Sequence, residues 1–189
     1  MRLAAPRIAP LRDDELTDDQ RAALAPMSAG RLGPLNIFRT LARAPKALTR
    51  FNEWGGYVLS RRNSLPARER EIVILRVGFL CKSGYEFTQH TRIGLNEGLT
   101  ESEIANIKQG ADAGWSPADA ALIRAADDLV GDHFVSDATW AQLKAHFDEK
   151  QCMDVVFTAG QYTQVSMFLN SFGVQLDAGQ TLDPDLRGF

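Results

Sequence analysis

His90, Glu86 and Glu71 are the side chains whose types and spacing point to chemistry. Glu86 and His90 stand four apart in Tyr85-Glu86-Phe87-Thr88-Gln89-His90, so on a helix they share a face. A carboxylate beside an imidazole orients the ring, selects its tautomer and raises its pKa, which makes His90 a candidate general acid/base. The same spacing also describes an exposed ion pair that supports the helix by a few tenths of a kcal/mol. Glu71 leads into Ile72-Val73-Ile74-Leu75, an apolar run in which a carboxylate is costly unless paired. If the helices on either side of Lys82-Ser83-Gly84 run antiparallel, Glu71 approaches His90 near their far ends. Their heights match only if the second helix starts late or tilts. The competing reading makes Glu71 the end of an exposed charged stripe, Arg68-Glu69-Arg70-Glu71.

The remaining reactive residues offer less. Cys81 and Cys152 form no Cys-x-x-Cys, so a local dithiol centre is absent. Cys81 sits beside Lys82, which would lower its thiol pKa modestly, and both cysteines read as inert, partly buried residues. His133 and His146 have no ligand-type neighbours in sequence. There is no His-Glu-x-x-His, no Gly-x-Gly-x-x-Gly and no phosphate-binding Gly-x-x-x-x-Gly-Lys-Ser, so neither a catalytic metal nor a nucleotide is indicated and no cofactor is expected. Trp54, Trp115 and Trp140 read as core or interface.

The elements that must position the acid/base residues are helices. Thr17-Asp18-Asp19-Gln20 and Thr100-Glu101-Ser102-Glu103 are capping-box patterns. Pro45 fits a first turn and is followed by Leu48, Phe51, Trp54 and Val58 at helical spacing. Pro66 starts a helix with Ile72, Val73, Leu75, Val77, Phe79 and Leu80 on its apolar side. A further helix runs from about Tyr85 to Glu97 and ends at Gly98, a left-handed stop. Ser116-Pro117, Ser136 and the residues near Glu149 mark three more starts, the last helix reaching Phe172 before Gly173. No alternating strand exceeds three or four residues, and no Asn-Gly or Asp-Gly hairpin turn occurs. The expected fold is all-α, a single-domain bundle of roughly seven helices with short antiparallel connections. The last helix is apolar on several sides, so it is central, or buries a second face against another subunit, or both.

Composition bounds the function classes. The 189 residues are 44% hydrophobic and 24% charged, a globular balance that argues against disorder. Lys+Arg total 21 against 24 Asp+Glu, a net charge of −3, which argues against a dedicated nucleic-acid binder. No run of about 18 apolar residues exists, so no membrane span is expected, and the first residues do not read as a signal peptide. Two cysteines are too few for a secreted disulfide scaffold, so a reduced, cytoplasmic protein is expected. Residues 1–35 hold four of the eight prolines and read as an N-terminal wrapping segment, 36–175 as the helical domain and 176–189 as a C-terminal tail.

Three stretches together carry a family resemblance: Leu65-Pro66-Ala67-Arg68-Glu69-Arg70-Glu71-Ile72-Val73-Ile74-Leu75-Arg76, then Tyr85-Glu86-Phe87-Thr88-Gln89-His90, then Gly98-Leu99-Thr100-Glu101-Ser102-Glu103-Ile104. They resemble the carboxymuconolactone decarboxylase family, which also contains the alkyl hydroperoxidase D antioxidant proteins. The resemblance is strongest over about 51–110 and extends more loosely through Asn36-Ile37-Phe38-Arg39, Asp137-Ala138-Thr139-Trp140 and Tyr162. It implies an all-helical bundle of the alkyl hydroperoxidase D type, a homo-oligomer (trimer or hexamer) and a pocket near a subunit interface. In the peroxidase branch a glutamate precedes a Cys-x-x-Cys that leads into a histidine. Matched here, the glutamate falls on Glu71, the histidine on His90, and the two cysteines on Ser83 and Glu86. Serine and glutamate cannot run a disulfide cycle, so what remains resembles the decarboxylase-like branch.

That resemblance implies His90, Glu86 and Glu71 as catalytic residues of an acid/base lyase or isomerase that needs no metal and acts on a small carboxylated ring or lactone. His90, kept protonated by Glu86, would be the proton donor, with Glu71 on its other ring nitrogen. Arg76, Arg39 and Tyr162 are the candidate substrate-binding residues, the arginines for a substrate carboxylate. The alternatives are a thiol peroxidase using Cys81 with a distant partner such as Cys152, and a non-enzymatic binder of a small hydrophobic ligand. The expected partners are a small-molecule substrate and further copies of the chain, with no nucleic acid and no membrane.

Overall fold

The computed structural model describes residues 1–28 and 33–188; residues 29–32 of the expected wrapping segment and residue 189 of the tail lie outside the described part. The fold is all-α. Nine α-helices are present among the described residues: α1 Asp18–Leu24, α2 Asn36–Leu41, α3 Pro45–Val58, α4 Ala67–Leu80, α5 Gly84–Asn96, α6 Glu101–Gln109, α7 Pro117–Gly131, α8 Asp137–His146 and α9 Glu149–Phe172. The short α2, which has no side-chain cap, is the element that capping and periodicity do not reveal.

The helix starts follow their capping residues. Thr17 and Thr100 accept from the backbone N–H three residues on, while Gln20 and Glu103 reach back, closing both expected capping boxes. Ser116, Ser136 and Asp148 cap α7, α8 and α9 in the same way. At the other end of α9, Gly173 adopts φ 70°, ψ 39°, the left-handed conformation that a Cβ disfavours.

α4 is the central helix. Ile72, Val73, Ile74, Leu75 and Val77 are all fully buried, because α5, α6, α7 and α9 surround it. Each such side chain contributes about 1.5–3 kcal/mol on burial. Two arginines of α4 are engaged: buried Arg76 binds Asp127 and the carbonyls of Ile107 and Lys108, and half-buried Arg68 binds Asp119 and Glu103. α9 packs on α3, α4, α5, α7 and α8, which makes it a second axis of the bundle. It still leaves Met153 and Met167 exposed, as is Trp54 on α3.

Two glycines set the spacing that matters for the site. A Cβ at Gly78 on α4 would lie 2.8 Å from Oε1 of Glu86 on α5. A Cβ at Gly94 on α5 would lie 2.9 Å from Leu99 and 3.3 Å from Leu75. These small residues let the antiparallel pair α4/α5 close to short range along its length. None of the described helices is long and apolar enough to cross a membrane.

Candidate active site

α4 and α5 bring Glu71 and His90 together. Oε2 of Glu71 lies 2.7 Å from Nδ1 of His90, and both residues are buried, at 1% and 7% exposure. The offset in height expected from the sequence is absorbed by the close α4/α5 approach: Gly94 stands beside Glu71, and His90 is one turn earlier on α5. A carboxylate only accepts, so Nδ1 carries the hydrogen, and a neutral ring then holds its lone pair on Nε2. Nε2 has no hydrogen-bond partner among the described residues. Tyr162 of α9 meets the imidazole edge-on, with ring centroids 4.8 Å apart at 84°, and fixes the ring's rotation.

Glu86 has a different role from the one its spacing suggests. It shares the α5 face with His90, but no hydrogen bond joins the two. Instead Ser166 Oγ on α9 donates to Glu86 Oε2 at 3.1 Å, and Oε1 has no partner among the described residues. Burial pushes the Glu86 carboxyl well above the usual carboxylate range, and the nearby charge of Glu71 adds to this; the Ser166 bond only partly offsets it. A neutral Glu86 cannot hold a proton on the imidazole by charge. It is itself the proton-bearing group. Burial, Glu71 and Glu86 likewise hold the Tyr162 phenol well above its ordinary pKa, so it too stays neutral.

These groups border a cavity of 420 Å³ between α3, α5 and α9. His90, Glu86 and Tyr162 line it, against apolar walls that include Phe38, Phe51 and Leu169. Its size and lining suit a small ring-bearing molecule. Gln89 also lines it, with its Nε2 donating to Asp177 at 2.7 Å. Tyr85 donates to the same carboxylate, and the Asn36 backbone N–H donates to its other oxygen, so the C-terminal segment ties α2 and α5 together beside the cavity.

The two arginines expected to hold a substrate carboxylate do not reach this cavity. Arg76 faces α6 and α7 in its pair with Asp127, and Arg39 donates to the carbonyls of Pro34 and Leu11 and to Asp13. Both guanidinium groups are structural ties, because each already has acceptors that match its fork. Arg92, one turn short of the end of α5, borders the cavity and is exposed, without an ion pair among the described residues. Sequence reasoning missed Arg92, Ser166 and Gln161. The last two carried a usable signal, as polar residues inside the apolar α9 stretch.

Cys81 opens onto another cavity, with Arg2, Arg7, Thr163 and Ser166. Its thiol is pushed up by burial, against the modest lowering expected from Lys82. Cys152 is fully buried in α9, its thiol also raised by burial. Ser83 and Glu86, matched above to the cysteine positions of the peroxidase branch, are both buried; Ser83 Oγ has no partner among the described residues. No three His, Cys, Asp or Glu side chains among the described residues converge as a metal-ligand set.

The model of the carboxymuconolactone decarboxylase family matches residues 45–128, which span α3 to α7 and include Glu71, Glu86 and His90. The chain carries a carboxymuconolactone decarboxylase family domain. Solved structures agree on its fold. A peroxidase-related protein with an alkylhydroperoxidase AhpD core, from Ralstonia eutropha, superposes with a TM-score of 0.78 at 19% identity, covering 93% of this chain and 95% of that one. The debrominase Bmp8 in complex with 2,3,4-tribromopyrrole gives 0.75 at 11% identity, covering 93% and 94%. A peroxidase-related protein from Silicibacter gives 0.74 at 13% identity, covering 94% and 92%. No functionally curated protein matches the sequence significantly. Helices outside the family match complete the fold, α1 and α2 before it and α8 and α9 after it, and α9 supplies Tyr162 and Ser166 to the site.

Proposed function

We propose that this family domain catalyses proton transfer as a lyase or isomerase acting on a small carboxylated ring or lactone. His90 is the base through Nε2, Glu71 orients and charges up its imidazole from Nδ1, and neutral Glu86 is the acid. The observation that carries this reading is the 2.7 Å His90–Glu71 bond at the wall of a cavity that a raised-pKa carboxyl also lines. An imidazole whose hydrogen is directed to Glu71, beside a buried carboxyl that burial keeps protonated, forms an acid/base pair. His90 removes a proton beside the substrate carbonyl, the electrons move into the conjugated system, and Glu86 returns a proton at the far end. In the lyase variant the electrons come instead from the bond to a departing carboxylate, and the acid role is the same. The apolar walls keep water from competing for the proton.

The test is deuterium incorporation or carbon dioxide release over a panel of carboxylated lactones, followed by NMR. His90→Gln should abolish both while the fold and assembly stay as in the parent. Retained activity would reject the assignment. A thiol peroxidase built on Cys81 has less support: its thiol is held protonated by burial, and the only other cysteine is buried in α9. For the assembly we propose a trimer or hexamer of the chain, supported by the exposed apolar side chains of Trp54, Met153 and Met167, which native mass spectrometry would count.

A further inference from the structure

Each turnover of the proposed reaction leaves Glu86 one proton short, and the apolar walls that keep water from the substrate also keep it from the acid. Glu86 is 2% exposed, so its proton has to return through a side chain. Ser166 touches it, with Oγ 3.1 Å from Glu86 Oε2. Ser166 itself belongs to a different space. It lines the cavity of about 570 Å³ that holds Cys81, and among the described residues this outer cavity shares no lining residue with the 420 Å³ cavity beside His90. α9 divides the two: Tyr162, Val165 and Leu169 border the inner cavity, and Thr163, Ser166 and Asn170 the outer one. At about 3.6 residues per turn these sets fill adjoining sectors of the helix, with Ser166 at their boundary, one turn on from Tyr162. The outer cavity reaches solvent, because Arg2, Arg7 and Met167 on its wall are exposed. Cys81 on the same wall is half-buried, and its thiol is within hydrogen-bonding reach of the Ser166 and Thr163 hydroxyls. The Ser166 hydroxyl therefore has the acid on one side and the outer cavity on the other.

We propose that Ser166 relays protons between Glu86 and the outer cavity, so that the acid is recharged from a space the substrate does not occupy. This rests on the reading of Glu86 as the acid given above. After turnover Glu86 is a carboxylate. The Ser166 O–H bond breaks as its hydrogen passes to Glu86 Oε2, and Oγ takes a new hydrogen from a protonated donor in the outer cavity, hydronium or a buffer acid. The donor leaves as water or as its conjugate base, and the serine is a neutral hydroxyl again. A hydroxyl suits this position because it donates and accepts at once and carries no lasting charge. Ser166 acts through Glu86 and touches no substrate.

Infrared spectroscopy of the intact protein tests the relay without a substrate. The carboxylic C=O stretch that disappears in Glu86→Gln identifies the acid proton, and the shift of that band after dilution into deuterium oxide times its exchange. Ser166→Ala should keep the band and slow its exchange by about tenfold or more, which corresponds to about 1.4 kcal/mol on the barrier. Loosened packing alone would speed exchange, so slowing separates a relay from a merely structural serine. Thr163→Leu, which adds bulk on the outer wall one turn before Ser166 and leaves the serine in place, should also slow it. Exchange as fast as in the parent, or faster, in Ser166→Ala would overturn the proposal, and Thr163→Leu decides in the same way if the alanine variant does not fold. Exchange complete within the mixing time in every protein counts as equal rates. The outcome is separable from that of the acid reading. A spectrum with no carboxylic band lost in Glu86→Gln would remove the acid itself, whereas a band whose exchange ignores Ser166 and Thr163 would remove this inference alone.

Discussion

Glu86→Gln isolates the property on which the acid/base pairing depends. Burial raises the folded-state carboxyl well above its ordinary range, so the native protein keeps a proton there that the unfolded chain has released. The native state then binds more protons than the unfolded state, and stability falls as pH rises. The contribution of this group is fully present below the ordinary carboxyl pKa and is lost as pH climbs towards the folded value. The slope approaches about 1.4 kcal/mol per pH unit over the range in which the native carboxyl keeps its proton and the unfolded one has lost it. Complete burial means that no solvent screening discounts this figure. Glutamine matches the shape of the neutral acid and cannot ionise, so it removes the slope. It adds a pH-independent offset of about 1–3 kcal/mol if its amide lacks partners beside Gly78. Urea unfolding of both proteins at fixed protein concentration, from pH 5 to 8, separates the slope from the offset, and other ionisations cancel in the difference. A parent-minus-variant difference that stays flat would refute the protonated Glu86 and, with it, the acid half of the mechanism.

Three further outcomes follow from the same geometry. Glu71→Gln removes the carboxylate that selects the Nδ1–H form, so nitrogen-resolved NMR of the imidazole should show a mixture of tautomers in place of one, with stability lower by about 1.5–3 kcal/mol. Gly78→Ala places a methyl 2.8 Å from Glu86 Oε1, which must move; the loss should be about 1–3 kcal/mol by denaturation, together with a weakened pH slope. Cys81, its thiol raised first by burial, should react with iodoacetamide at pH 7 more slowly than free cysteine, and Glu86→Gln should leave that rate unchanged because a protonated Glu86 carries no charge; a reaction faster than the free thiol would contradict the assigned surroundings.

The helical starts were legible because capping is local. Thr17, Thr100, Ser116 and Ser136 each accept from a backbone N–H three residues away, so four adjacent letters contain the whole interaction. The pairing of Glu71 with His90 was half legible. A carboxylate among Ile72, Val73 and Ile74 needs a partner, but the partner lies across a helix pair whose spacing is set by Gly78 and Gly94. Glu86 was misread for the same reason in reverse. Its four-residue spacing to His90 is real, yet the bond that forms goes to Ser166, eighty residues away on α9. Arg76 and Arg39 looked available because a sequence does not show that Asp127, Leu11 and Pro34 already hold them. Long-range partners decide which ionisable groups remain free, and those partners come from the packing.

The site depends on two glutamates on neighbouring helices meeting opposite fates. Both are almost wholly buried, so burial alone cannot distinguish them. Their first partners do. Glu71 has an imidazole N–H, a group able to carry positive charge, while Glu86 has only a serine hydroxyl, which stabilises a carboxylate much less. Once Glu71 holds negative charge, it raises the cost of ionising Glu86. The helix pair therefore carries one charge and one proton in place of two charges. This asymmetry assigns His90 as base and Glu86 as acid without any further group. Exchanging the partners should reverse it: Ser166→Lys, with an ammonium beside Glu86, would ionise that carboxyl and flatten the pH slope described above. If the slope survived in a folded Ser166→Lys protein, the acid at position 86 would owe its proton to something other than its surroundings.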